Sequence, residues 1–172
     1  MRTPLLGALA AVALLGCQSA PQEEARATAQ LKPLGQHKAF GEATFEQVGN
    51  KVRVVANVQG LTPEREHGFH IHEVGDCNSP DGMSTKGHFN PFGKPHGHPN
   101  SAERHAGDLP ALKAGTDGRA RIQIELEQIT VTPGPASVVG RGLIVHADPD
   151  DYKTQPTGNA GARIACAVIQ RS

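Results

Sequence analysis

The chain has no tryptophan and one tyrosine in 172 residues, and five phenylalanines complete its aromatics. Its core must therefore rest on Val, Ile, Leu and Ala, and a core so poor in rings needs other staples. Charge of either sign is in no excess, since 17 basic side chains balance 17 acidic ones. No basic stripe and no aromatic-basic interleaving is present, which argues against a nucleic-acid partner. Long apolar runs are also missing: the run from Leu5 to Leu15 is too short to span a bilayer comfortably as a mature helix. No segment carries a long helical period, which leaves strands as the main expected element.

The short apolar run follows Arg2 and ends in Leu14-Leu15-Gly16-Cys17. This pattern resembles a bacterial lipoprotein signal over residues 1–17, with cleavage leaving the Cys17 thiol to carry lipid. The alternative is an ordinary secretory signal with Cys17 removed or free. The lipid reading is favoured because small-residue chemistry precedes the cysteine where the apolar run stops. Either reading exports the protein, to the periplasm or the outer cell surface, and the first anchors it to a membrane. Residues 18–36 are rich in Ala, Gln, Glu and Pro and are expected to form a flexible tether. Residues 37–172 then suffice for one domain. Three cysteines in an exported chain leave one odd thiol. With Cys17 lipidated, Cys77 and Cys166 remain as a pair, and export favours their oxidation over two buried thiols.

Apolar and polar residues alternate from Ala39 to Val48 and from Lys51 to Val58. Further strands are expected at His67–Val74, Arg119–Leu126, Val138–His146 and Ala162–Ile169. Turn residues separate them, as at Gly49-Asn50 and Thr116 to Gly118. Short strands at this spacing predict an all-β fold: an antiparallel Greek-key sandwich or barrel of about eight strands. Two long loops, Gly75–Pro110 and Ala147–Gly161, break the rhythm and are expected to be functional.

Of nine histidines, all but His37 lie between His67 and His146. Imidazole is a favoured ligand of zinc and copper, so this density points to metal. His70 and His72 stand two apart on an expected strand, where side chains share a face. His146 ends another strand-like run and is a third nitrogen for the same ion. His88, His96 and His105 lie in the first long loop, with Asp108 three residues on. Three imidazoles and one carboxylate complete a tetrahedral zinc set with no open position, which is a structural site.

At these residues the chain resembles the copper/zinc superoxide dismutases. The segments GFHIHEVGDC, GHFNP, ERHAGDL and GNAGARIACAVI carry the resemblance, which covers roughly Lys38 to Ile169. It implies that His70, His72, His88 and His146 bind copper, and that His88, His96, His105 and Asp108 bind zinc. His88 would be shared, with one ring nitrogen for each ion. Asp150 would accept a hydrogen bond from one copper histidine and one zinc histidine, although sequence alone favours a turn residue there. Cys77 and Cys166 match the family's disulfide, and Arg163 its active-site arginine. The implied activity is dismutation of superoxide to O₂ and hydrogen peroxide, protecting the cell envelope; Arg163 and His88 are the catalytic candidates.

His37, His67 and His98 match no ligand position and are read as surface or loop residues. Lys153 is the only cation between Asp151 and Gly158, so that loop offers little positive charge to steer the anion. Lys86 and Lys94 are further candidates for the channel rim, more simply read as solvated surface. The resemblance accommodates a monomer or a homodimer. Two competing readings are a metal-carrying domain without turnover and a purely structural zinc-and-disulfide domain. The second requires a missing copper ligand, and none is missing.

Overall fold

A computed structural model describes residues 25–172, so the expected signal over 1–17, Cys17 and the first part of the expected tether lie outside the described residues. The described residues form ten strands and no α-helix. They are β1 (Arg26–Pro33), β2 (Phe40–Val48), β3 (Lys51–Gln59), β4 (Glu66–His67), β5 (Phe69–His72), β6 (Leu112–Lys113), β7 (Ala120–Leu126), β8 (Gly142–His146), β9 (Arg163–Val168) and β10 (Gln170–Arg171). One sheet runs in the order β5-β8-β9-β1-β2-β3-β7, with β10 also paired to β1. Strands distant in sequence lie side by side and all pairs are antiparallel, as a Greek-key arrangement requires. β4 and β6 form a separate two-stranded sheet.

Part of the expected tether is a strand. β1 occupies residues 26–33, inside the 18–36 segment expected to be flexible. Ala27, Ala29 and Leu31 alternate inward, each at most 3% exposed. Two of these three are alanines, whose small side chains give a faint apolar rhythm among Arg26, Thr28 and Gln30. The strand holds the sheet together. It pairs with β2 from Arg26↔Glu46 to Leu31↔Gly41, and with β9 at Lys32↔Cys166 and Pro33↔Ala165.

The sheet curls around one apolar core that draws Ala29, Phe45, Val54 and Val58 from one flank and Phe69, Ile71, Leu143 and Val145 from the other. The period-two geometry of strands then sends His70, His72 and His146 to the opposite face. The site is thus on the outside of the sheet, roofed by the two long loops. Backbone bonds seat the first loop against the free edge of β5: Phe89 N–H donates to Ile71 O at 2.8 Å and Ile71 N–H to Gly107 O at 2.9 Å. Cys77 of that loop is bridged to Cys166 of β9, with Cα atoms 5.8 Å apart. A cross-link closing a loop of this length (89 residues apart in sequence) stabilises by roughly 4–5 kcal/mol in the chain-entropy account.

Because Leu31 of β1 is part of the buried core, Leu31→Ala should cost about 2–5 kcal/mol. Urea unfolding of the metal-loaded protein measures it. An unchanged midpoint would return this segment to the tether.

Candidate metal centre

Two sets of buried donors converge above β5. One is His70, His72, His88 and His146; the other is His88, His96, His105 and Asp108. Within each set, one donor atom from every residue lies within 4.8 Å of the rest. The structure therefore brings together every residue expected in either set, and His88 belongs to both.

Hydrogen bonds outside the sets fix which atoms face inward. His70 Nε2–H donates to Asp150 Oδ2 at 2.7 Å. His72 Nδ1–H donates to Lys86 O at 2.9 Å. His146 Nδ1 lies 3.2 Å from Gly161 O. The nitrogens left over are His70 Nδ1, His72 Nε2 and His146 Nε2, and the last two are 3.4 Å apart. His88 is held by its other nitrogen: its Nδ1 is 2.8 Å from Asp108 Oδ1. This leaves His88 Nε2 for the first set. His70 Nδ1 and His88 Nε2 are both buried with no hydrogen-bond partner. A buried polar atom left in this way costs on the order of 1–3 kcal/mol, and a cation accepted by both lone pairs removes the cost. Four imidazole nitrogens suit copper, and the His₃Asp set suits zinc.

Asp108 is aimed by the backbone. Its Oδ2 accepts from Gly97 N–H at 3.1 Å and His105 N–H at 2.9 Å. Its Oδ1 then faces the Nδ1 atoms of His88, His96 and His105 at 2.8, 3.0 and 3.3 Å. Asp150 ties the two sets together, because its Oδ1 accepts from His96 Nε2–H at 2.9 Å while its Oδ2 holds His70. It is a turn residue as well: Oδ1 also accepts from Tyr152 N–H at 2.7 Å. Gly158, with φ of +67°, makes room for it, since a Cβ there would fall 1.8 Å from Asp150 Oδ1.

Burial and charge set the protonation states. Burial pushes His72 and His146 well below the ordinary imidazole value, and neighbouring imidazoles push the same way. Burial also brings His88 down to about 4, against the opposing pull of Asp108. His96 is different: burial disfavours its charge, but Asp108 and Asp150 outweigh it and raise the ring to about 9. Burial would raise both carboxyls, yet bonds from the histidines hold Asp108 and Asp150 well below the usual carboxylate range. At neutral pH His72, His88 and His146 therefore offer uncharged nitrogens and Asp108 an ionised carboxylate, whereas His96 has a proton to give up on binding zinc. An uncharged imidazole and an ionised carboxylate are the forms that bind a cation.

A cavity of about 520 Å³ opens onto His72 and His146 and is lined also by His37, Asp81, Met83 and Arg163. Asp81 and Arg163 are the permanently charged residues lining it, and their signs oppose. The guanidinium is clamped from behind: Nη1–H groups donate to Gly82 O and Thr85 Oγ1, and Nη2–H donates to Lys86 O, each at 2.7 Å. Lys86 O thus anchors both His72 and Arg163. Neither Lys86, Lys94 nor Lys153 lines this cavity, and Lys94 is paired with Glu103 at 2.7 Å.

His67 is not a surface or loop residue as expected; it is 1% exposed, in β4. Its Nδ1–H donates to His146 O at 2.8 Å, so it fixes the backbone that carries a donor of the first set. The partner lies 79 residues away and leaves no local signal. Arg104 lies in the ERHAGDL segment but has no role readable there; it is 6% exposed and donates to Pro99 O and His105 O at 2.8 and 2.9 Å. His37 and His98 are exposed.

Residues 39–169 match the family described as copper/zinc superoxide dismutase (SODC). In Aquifex aeolicus (strain VF5), the protein named Superoxide dismutase (Cu-Zn) 2 is 42% identical over 137 residues, 77% of this chain and 80% of its own length. Superoxide dismutase (Cu-Zn) 1 of the same organism is 42% identical over 135 residues, 76% of this chain and 80% of its own length. The solved structure titled as a crystal structure analysis of the clock protein EA4 superposes with a TM-score of 0.78 at 42% identity, covering 86% of this chain and 94% of that one. Alike across nearly the whole strand-and-loop domain, and carrying donor sets that suit both ions, the chain belongs to the copper/zinc superoxide dismutase family and is an enzyme of that kind.

Proposed function

We propose that the protein is an exported, lipid-anchored dismutase that removes superoxide at the cell envelope. His70, His72, His88 and His146 would hold copper, and His88, His96, His105 and Asp108 would hold zinc. Copper, when bound, supplies a one-electron couple that oxidises one superoxide to O₂ and reduces a second, while zinc supplies a fixed charge.

The chain's own residues supply the rest. Arg163 attracts and orients the anion in the cavity beside His72 and His146, with its planar fork held by three acceptors. Whenever its lone pair is not given to copper, His88 Nε2 can hold a proton for the reduced oxygen, because its other nitrogen is committed to the Asp108 side. Two superoxides and two protons give one O₂ and one hydrogen peroxide. Asp150 keeps His70 and His96 in one tautomer and so keeps the two donor sets in register. The observation that carries this reading is the pair of unpartnered nitrogens on His70 and His88, buried beneath a cavity whose positive charge is Arg163.

Superoxide assays on copper- and zinc-loaded protein test it, with a chelated control. Activity should follow copper, and a fully loaded sample that leaves superoxide untouched would favour a metal carrier. Arg163→Ala should lower the second-order rate about tenfold at low ionic strength and flatten its salt dependence, with copper still bound. Unchanged kinetics there would remove Arg163 from the mechanism.

The exported and anchored part rests on the Leu14-Leu15-Gly16-Cys17 pattern. Cys17→Ser should move the protein from the membrane fraction to the soluble one. Retention in the membrane fraction would contradict lipid attachment at this residue.

A further inference from the structure

Thr85 lies in the one-turn 3₁₀ helix Met83–Thr85 of the first long loop. It is completely buried. Its hydroxyl hydrogen has a partner, since Oγ1–H donates to Gly82 O at 2.8 Å. The lone pairs of the same oxygen face Arg163, whose Nη1–H donates to it at 2.7 Å. Its methyl lies beside Gly142 of β8, where a Cβ would come within 3.1 Å of Thr85 Cγ2. A fixed rotamer and a fixed hydroxyl hydrogen therefore present one oriented acceptor to a guanidinium.

The clamp has three acceptors, and two of them, Gly82 O and Lys86 O, are backbone atoms. Thr85 supplies its side-chain acceptor. Arg163 is half-buried, so a guanidinium N–H without an acceptor here loses a bond that water replaces only in part. The cation would then sample more orientations at the mouth of the cavity. Thr85 Oγ1 is also 3.3 Å from His72 Nδ1, close to a ring that lines that cavity.

We propose that Thr85 is a positioning residue for anion capture: its hydroxyl fixes the Arg163 guanidinium in the orientation that meets superoxide. The proposal rests on the reading of Arg163 as the anion-attracting group. It distinguishes Thr85 from a residue that merely closes its own turn through Gly82.

A double-variant cycle with azide as the anion probe tests it, alongside the dismutation rate and the copper EPR spectrum, all on copper- and zinc-loaded protein. Thr85→Val keeps the shape and removes the acceptor. It should weaken azide binding and lower the rate about three- to tenfold at low ionic strength, and leave the EPR spectrum unchanged. Thr85→Ser should restore both to within about twofold. On an Arg163→Ala background, Thr85→Val should add no further loss. Wild-type azide affinity in Thr85→Val, or the same loss with and without Arg163, overturns the proposal. If Thr85→Val does not fold, the Thr85→Ala and Thr85→Ser pair carries the same comparison. Arg163→Ala alone reports on the reading beneath: no change there overturns both, whereas a normal loss there beside a silent Thr85→Val overturns only the role of Thr85.

Discussion

The site depends on the ring of His88 being held between two donor sets by its two nitrogens. Nδ1 is fixed 2.8 Å from Asp108 Oδ1, and Nε2 is left bare among the other imidazoles. An imidazole has no other way to serve two ions. Everything that positions this ring therefore positions both sites at once. Asp108 is aimed at it by the N–H groups of Gly97 and His105, and the loop that carries it is laid along the edge of β5 by backbone bonds. Asp150 adds a second tie, from His70 on the sheet to His96 on the loop.

The fold serves this arrangement by using its two faces differently. Phe69, Ile71, Leu143 and Val145 fill the core on the inner face, while His70, His72 and His146 alternate outward from the same two strands. The outer face would be open to water without a roof. The two long loops provide it, one tied by the Cys77–Cys166 bridge and one folded back through Asp150 and Tyr152. Loops with almost no regular structure can be rigid when side chains and a cross-link supply their bonds. At the cavity the charges of Asp81 and Arg163 oppose one another, so capture of an anion relies on the placement of the guanidinium more than on the net charge of the rim.

Most of the sheet was legible because valine-rich alternation is a strong signal: Val52, Val54 and Val58 mark β3 without ambiguity. β1 was not, because Ala27 and Ala29 bury little area and their neighbours resemble a linker. β8 begins at Gly142, not at Val138, since Gly140 turns the chain with φ of +82°. The donor residues were legible from their density and type, and the structure brings all of them together. The supports were not. His67 acts on His146 O, and Arg104 and Thr85 act on backbone oxygens and a guanidinium, through contacts that only folding creates. Asp150 shows how local pattern and tertiary role coexist, because one carboxylate caps its turn and also receives two imidazoles.

The central claim is that a single ring completes both donor sets, and metal analysis of His88→Gln against wild type tests it most directly. Competition with a graded series of chelators measures copper and zinc affinity separately. The account predicts that this one substitution weakens both ions, while His146→Gln weakens copper alone. Retention of wild-type affinity for either ion in His88→Gln would contradict it.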